Sequence, residues 1–259
     1  LGYDPVILTR KTSSEAISDH LFRSSPERTT HHGSGGANLS SWEIFQSHQG
    51  RRIVKWEHYF PIYDRHFAAW KGRDLTFLEV GVLDGGSLAM WRRYFGPLAK
   101  VIGIDVDPDC AARGLPGAHV RIGDQSDPIF LQSIIDEFGA PDIVLDDGSH
   151  QMAHVRATFD FLYPKMMKNS VYLIEDMHTS YWHEFGGGWD NPDTIINHAK
   201  NLVDKLNADH SRGVVTPDEF TRSTFSLCFY DSVIVFEKMR VTRKTNVVRE
   251  NGQSHDAAL

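Results

Sequence analysis

A chain of 259 residues can hold one large α/β domain with a well-buried core, or at most two small ones. Hydrophobic residues make up 41% and charged residues 24%, as in ordinary globular proteins, and the formal net charge of −7 argues against a nucleic-acid binder working through a broad positive surface. No apolar run approaches the roughly 20 residues that span a bilayer and no secretory leader is recognisable, so a cytoplasmic protein with neither membrane nor nucleic-acid partners is expected.

Residues 1–40 are polar and broken, and end in the glycine- and serine-rich "HHGSGGANLS", which is expected to be mobile. The adjacent His31 and His32 have no acid beside them and read as solvated loop residues. From about Ser40 the pattern turns helical. Trp56, Tyr59, Phe60, Tyr63, Phe67 and Trp70 recur at spacings of three and four, an aromatic stripe on one helix face for core or dimer packing. Tyr63 is its best candidate to reach a ligand, and Pro61 is expected to interrupt the helix. Strands and helices then alternate. "LTFLEVGV", "KVIGIDVD", "AHVRIGDQ", "PDIVLDD" and "SVYLIED" read as buried strands. The helices between them include "GSLAMWRRYFG", "DPIFLQSIIDEFG" and "QMAHVRATFDFLYPKM". A further helix is expected at about 193–209, followed by an antiparallel hairpin in "TFSLCFYDSVIVFEK" around Asp231-Ser232. The tail "TRKTNVVRENGQSHDAAL" shows no core-forming period and is expected to fray. Cys110 and Cys228 form no metal or redox motif and read as reduced core thiols. The whole predicts an α/β chain with a mostly parallel seven-stranded sheet, covered on both faces and closed by that hairpin.

In open α/β sheets, ligands bind beyond the carboxyl ends of the strands. Here those ends read Glu79-Val80-Gly81, Asp105-Val106-Asp107, Gly123-Asp124-Gln125, Asp146-Asp147 and Glu175-Asp176, so every parallel strand ends in acid. Such a rim suits hydroxyls, amines or metal cations. The first turn, "EVGVLDGGS", lacks both the GxGxxG dinucleotide spacing and the lysine of a P-loop. Its glycines let backbone approach a ligand, and Asp105 can accept hydrogen bonds from two ribose hydroxyls. A nucleoside-bearing cofactor without a phosphate demand is indicated.

"FLEVGVLDGGS", "IGIDVDP" and "GDQSD" resemble the first three motifs of class I S-adenosylmethionine (SAM)-dependent methyltransferases, and "FYDSVIVFEK" is similar to their closing hairpin. The resemblance implies a Rossmann-like class I methyltransferase fold. It places Glu79, Gly81 and Gly85 at the methionine portion of the cofactor, Asp105 at the ribose, and Asp124 with Gln125 at the adenine, with Ser87 a further cofactor-binding residue. Tyr63 joins this cofactor set, as does Asp146, a structural or cofactor-side acid. "LDDGSHQMAHVRATFDFLYP" and "YLIEDMHTSYWHEFGGG" resemble, more sharply, the metal-dependent sugar O-methyltransferases of the mycinamicin and macrocin group and relatives acting on mycobacterial polysaccharides. That resemblance implies Mg²⁺, with Mn²⁺ as the substitute, on Asp147, Glu175 and Asp176, and His150 as general base. Three carboxylates at neighbouring strand ends independently suit a hard, oxygen-preferring ion.

His154, four residues after His150, is read as structural, because "HQMAH" lacks the glutamate of a zinc protease. His178 either lines an acceptor pocket or caps a loop. Tyr181 and Trp182 are candidates to stack on a sugar ring, with Trp182 alternatively in the core, and "FGGGWDNP" reads as a flexible loop at the pocket mouth. The boundaries drawn are a mobile segment with lid helices over 1–50, a catalytic domain over 51–240 and a polar tail over 241–259. The function expected is SAM- and Mg²⁺-dependent O-methylation of a sugar hydroxyl on a glycoside, oligosaccharide or glycosylated natural product, by a homo-oligomer. The alternatives are a metal-dependent oxygenase or hydrolase on the same carboxylates, or a non-catalytic SAM-binding protein.

Overall fold

The structure, a computed structural model, describes residues 39–112, 116–239, 246–250 and 253–257. The "HHGSGGANLS" histidines and most of the N-terminal segment lie outside these residues. The described part begins at Leu39, which packs with Trp42 and Phe45 against the main core. Helix α1 (Ser41–Gln46) starts at a capping box, in which Ser40 accepts from Glu43 N and the Glu43 carboxylate accepts from Ser40 N. A 3₁₀ turn (Glu57–Tyr59) leads directly into α2 (Phe60–Phe67). Pro61 therefore sits in the first turn of α2, where its missing N–H costs nothing, rather than interrupting a longer helix.

Five strands follow in βα alternation: β1 (Thr76–Val80), β2 (Lys100–Asp105), β3 (Ala118–Ile122), β4 (Ile143–Asp146) and β5 (Ser170–Ile174). The helices between them are α3 (Gly86–Phe95), α4 (Pro108–Ala112), α5 (Pro128–Phe138) and α6 (Met152–Lys165). Asp127 caps α5 by accepting from Ile129 N, with Pro128 next, and Gly139 ends it at φ 89°. After β5 come α7 (Ile195–Leu206) and α8 (Glu219–Ser223), then the hairpin of β6 (Thr224–Tyr230) and β7 (Val233–Lys238). The sheet order is β3-β2-β1-β4-β5-β7-β6. The first five strands pair in parallel, while β7 is antiparallel to both of its neighbours, β5 and β6.

Strict alternation along each strand assigns the two faces. Phe77, Val101, Ile143, Leu145, Val171, Leu173, Val233 and Val235 meet the aromatic side chains of α2 and α3, including Tyr63, Phe67 and Trp91. Leu78, Val80, Ile102, Ile104, Val144, Tyr172, Ile174 and Phe236 meet α5, α6 and α7. The aromatic stripe is thus core from Tyr59 to Phe67, whereas Trp56, ahead of the 3₁₀ turn, is 55% exposed. The tail expected to fray contains an antiparallel pair instead, β8 (Asn246–Glu250) with β9 (Gln253–Ala257). Paired valines at 247 and 248 and an Asn-Gly sequence at 251–252 are hairpin chemistry that the core-period criterion overlooks.

Candidate functional site

Strand order reverses beside β1, which has β2 on one side and β4 on the other. The hydrogen-bond ladder continues one residue past the strands: Asp147 N donates to Val80 O and Glu175 N to Asp146 O, each at 2.9 Å. Gly81, Asp147 and Glu175 are thereby brought side by side. Gly81 adopts φ 86°, and a Cβ there would come 2.1 Å from Asp147 O, so only glycine fits between these strand ends.

Two cavities open over this edge. One, of about 240 Å³, is lined by Val80, Ile104 and Val106 on its apolar side and by Asp105, Asp124 and Gln125 on its polar side. The other, of about 310 Å³, is lined by Lys55, Ser87, Asp147, His150 and Asp176. Gly81, Asp105 and Gly148 line both. Asp105 Oδ2 accepts from Val82 N at 2.7 Å and Leu83 N at 3.2 Å, and its Oδ1 accepts from Asp107 N at 3.0 Å. Burial works to raise its pKa, but these backbone donors outweigh burial and hold it below the usual aspartate value. Asp124 is likewise held low, chiefly by accepting from Ser126 N. Gln125 accepts from Ser149 N at 2.7 Å, bracing the Gly148-Ser149 turn against the cavity.

Three residues assigned above to the cofactor, Glu79, Asp146 and Tyr63, are buried and line neither cavity. Glu79 accepts from Ser87 Oγ at 2.8 Å, and burial pushes it up to about 7. Asp146 accepts from Tyr172 OH at 3.1 Å and from Gln125 Nε2 at 3.3 Å, and burial pushes it too up to about 7. Tyr63 OH donates to Glu175 Oε1 at 2.5 Å. These side chains form the floor beneath the cavities. Gly85, at φ 81°, shapes the turn into α3 and lines neither cavity.

In the second cavity, one ligand atom each from Asp147, His150 and Asp176 lies within 4.8 Å of the others. His150 Nε2 stands 3.8 Å from Asp147 Oδ1 and 3.6 Å from Asp176 Oδ2, too far for hydrogen bonds and close enough for a shared cation or hydroxyl. His150 and Asp176 both hold left-handed backbone, at φ 56° and 54°, a conformation costly for non-glycine residues and frequent at functional sites. Asp176 is further fixed by Tyr59 OH, which donates to its Oδ1 at 2.7 Å. The group holds one histidine and two carboxylates, unlike the two-histidine, one-carboxylate set of iron oxygenases.

Glu175, the third carboxylate expected in a metal site, turns inward and is 2% exposed. Both of its oxygens accept from Lys55 Nζ, at 3.1 and 3.0 Å, and the same ammonium donates to Asp147 Oδ2 at 2.6 Å. Burial alone would discharge Lys55, but Asp147, Glu175 and Glu79 outweigh it and hold the lysine pKa above its ordinary value. Burial drives Glu175 up, against the pull of that ammonium. Lys55 and Tyr59 were not singled out for the site from sequence. The one available sign of Lys55 was a lysine set between Ile53-Val54 and Trp56, in a chain whose strand ends gather five acidic clusters.

His178 and Tyr181 line neither of these cavities but a separate one, where His178 Nδ1 lies 2.5 Å from Ser232 Oγ and its ring 4.7 Å from that of Trp182. Trp182 and Tyr181 are 45% and 46% exposed, so Trp182 is not core. The 183–191 loop, expected to be flexible, carries its own hydrogen bonds, from Gly187 N to Trp182 O and Gly188 N to Ser180 O, both at 2.9 Å. His154 Nδ1 lies 3.1 Å from Ser149 Oγ and lines the first cavity.

No family model matches the chain. Among curated proteins it is 38% identical over 190 residues to the 8-demethyl-8-alpha-L-rhamnosyl tetracenomycin-C 2'-O-methyltransferase of Streptomyces olivaceus, covering 70% of this chain and 50% of that protein. It is 37% identical over 199 residues to the mycinamicin VI 2''-O-methyltransferase of Micromonospora griseorubida, covering 71% and 49%. Among solved structures it superposes on MycE, a methyltransferase of the mycinamycin pathway in complex with Mg, S-adenosylhomocysteine (SAH) and mycinamycin VI. The TM-score is 0.71 at 33% identity, over 80% of this chain and 55% of that one. The chain is a homologue of these sugar O-methyltransferases. Its sheet is that of the class I methyltransferases, and it spans about half the length of the curated relatives it matches.

Proposed function

We propose that the protein transfers the methyl group of SAM to a sugar hydroxyl of a glycosylated natural product, with a divalent ion, Mg²⁺ or Mn²⁺, in attendance. The observation that carries this reading is the joining of two cavities along Gly81, Asp105 and Gly148, one lined by nucleoside-type acids and the other by the Asp147–His150–Asp176 group. In the first cavity Asp105 holds the ribose hydroxyls, Asp124 faces the adenine, and Val80, Ile104 and Val106 supply apolar wall. Gly81 and Ser87 approach the methionine portion, while Glu79, Asp146 and Tyr63 keep the floor in place. Asp147 and Asp176 are the residues that would hold the ion, with Glu175 behind them. Such an ion supplies stabilisation of a developing alkoxide, worth several kcal/mol.

His150 takes the proton from the acceptor hydroxyl as the oxygen attacks the sulfonium methyl in one displacement. The C–O bond forms, the C–S bond breaks, and SAH leaves as a neutral thioether. The left-handed backbone at His150 aims Nε2 between the two aspartates rather than along the helix that follows. His178, Tyr181 and Trp182 form the acceptor wall. The test is methyl transfer from SAM to a panel of rhamnosylated and other deoxysugar-bearing polyketides, read by mass spectrometry. Methylation of the aglycone alone, or none across the panel with SAH bound, would count against a sugar acceptor.

A further inference from the structure

One almost fully buried charge in the site belongs to a residue with no role in the reaction outlined above. The Lys55 side chain is 2% exposed, and its ammonium stands 2.6 Å from Asp147, 3.0 Å from Glu175 and 3.8 Å from Glu79. It reaches the strand ends from the segment before β1, and that segment is pinned along its length. His48 Nε2 lies 2.7 Å from Arg51 O, Arg52 pairs with Asp84 at 2.8 Å, and Tyr59 N donates to Trp56 O at 3.1 Å. At Gly86 a Cβ would come 2.3 Å from Arg51 O, so the start of α3 is packed directly on this backbone. The ammonium is therefore delivered to one place.

That place is where a cation is wanted. Asp147 offers Oδ1 toward His150 and the cavity, while its Oδ2 is bound by Lys55. Glu175, whose sequence position suggests a metal ligand, has both oxygens committed to Lys55. Buried carboxylates this close repel one another unless a positive charge lies among them.

We propose that Lys55 is a tethered cation sharing the electrostatic task of the divalent ion: it keeps Asp147 and Glu175 in position without metal and weakens metal binding by holding Asp147. This rests on the metal reading given under the proposed function. Lys55 is a positioning residue, not a group that touches the transferred methyl. A fixed positive charge beside the ligands lowers the affinity of a dication for them, and its removal raises that affinity.

The experiment is titration of chelator-stripped protein with Mn²⁺ alone, read by calorimetry, together with thermal unfolding with and without Mn²⁺. It compares wild type, Lys55→Met and Lys55→Gln, the second retaining an N–H donor. The expected result is Mn²⁺ affinity raised about tenfold or more in either variant that folds, a lower melting temperature in chelator, and a larger Mn²⁺-induced rise than in wild type. A variant that folds only with Mn²⁺ supports the proposal just as well. Wild-type binding with unchanged or weaker affinity in a folded variant overturns the proposal and leaves the metal reading standing. No Mn²⁺ binding by any of the three proteins overturns both. Failure of both variants to fold even with Mn²⁺ also overturns the proposal, since the ion then cannot take over the place of the lysine.

Discussion

At the scale of single residues, the site divides into groups that face the cavities and groups that hold them up. His150 belongs to the first kind, with Nε2 in the open and its backbone strained to keep it there. Replacing it with alanine removes the proposed base and leaves Asp105 and Gly81 untouched. We expect turnover to fall by roughly 10²–10⁴-fold while SAH affinity in calorimetry stays within a few fold. A comparable loss of SAH binding would place His150 in the cofactor pocket instead. Asp146 belongs to the second kind. Its pKa of about 7 in the fold lies above that of an unfolded aspartate, near 3.9, so the folded state binds more protons between those values. The contribution of Asp146 to stability therefore declines as pH rises from about 4 to 7, and the cost of its buried charge is fully present above 7. Asp146→Asn keeps a neutral side chain for Tyr172 and removes that cost. The variant should melt roughly 5 °C above wild type at pH 8, with the gap closing toward pH 5. A gap independent of pH would contradict a titrating Asp146.

Among the elements, the turn between β1 and α3 leaves the least freedom. Gly81 sits under Asp147 O with no room for a methyl group, at a φ that other residues resist. Gly81→Ala must push the β4 end away from β1, and we expect loss of measurable SAH binding with a melting point several degrees lower; normal SAH affinity would show that the strand ends yield. How much of this was legible in the sequence differs from element to element. β1, β2, β4 and β5 were readable because parallel strands buried on both faces leave continuous apolar runs, and α5 announces itself with Asp127, Pro128 and Gly139. Pro61 was misread because a proline inside an aromatic period looks like an interruption until the 3₁₀ turn before it is known. The β8–β9 pair was missed because a two-stranded hairpin needs no core period. The acids at the strand ends were legible by position. Their division into cavity-facing Asp105, Asp147 and Asp176 and buried Glu79, Asp146 and Glu175 was legible only for Asp146, read as structural or cofactor-side, since the burial of Glu79 and Glu175 depends on Lys55 and Tyr63 packing over them from a distant segment. Lys55 lay beyond reach for a related reason: it lies 92 residues from Asp147 and 120 from Glu175, and no local pattern records a contact across that separation.

At the scale of the molecule, the two cavities share Asp105, at the end of β2, and differ in their other acids. The first adds Asp124 from beyond β3, the second Asp147 and Asp176 from beyond β4 and β5, and they meet over β1. If the first holds a nucleoside and the second an ion, their ligands should stabilise the fold through separate residues. A ligand present at about 100 times its Kd stabilises a folded protein by about 2.7 kcal/mol, on the order of 5–10 °C for a domain of this size. SAH and Mn²⁺ should each raise the melting temperature of the wild-type protein, and the increments should nearly add, because Asp105 and Asp176 have no hydrogen-bond partner in common. Asp105→Asn should then lose most of the SAH increment and keep the Mn²⁺ one, while Asp176→Asn should do the reverse. Asp176 suits this test better than Asp147, whose loss would also strip Lys55 of its nearest partner. An Asp105→Asn protein that loses both increments would show the cavities to be one coupled site. An Asp176→Asn protein that keeps its Mn²⁺ increment would move the ion away from the β5 end.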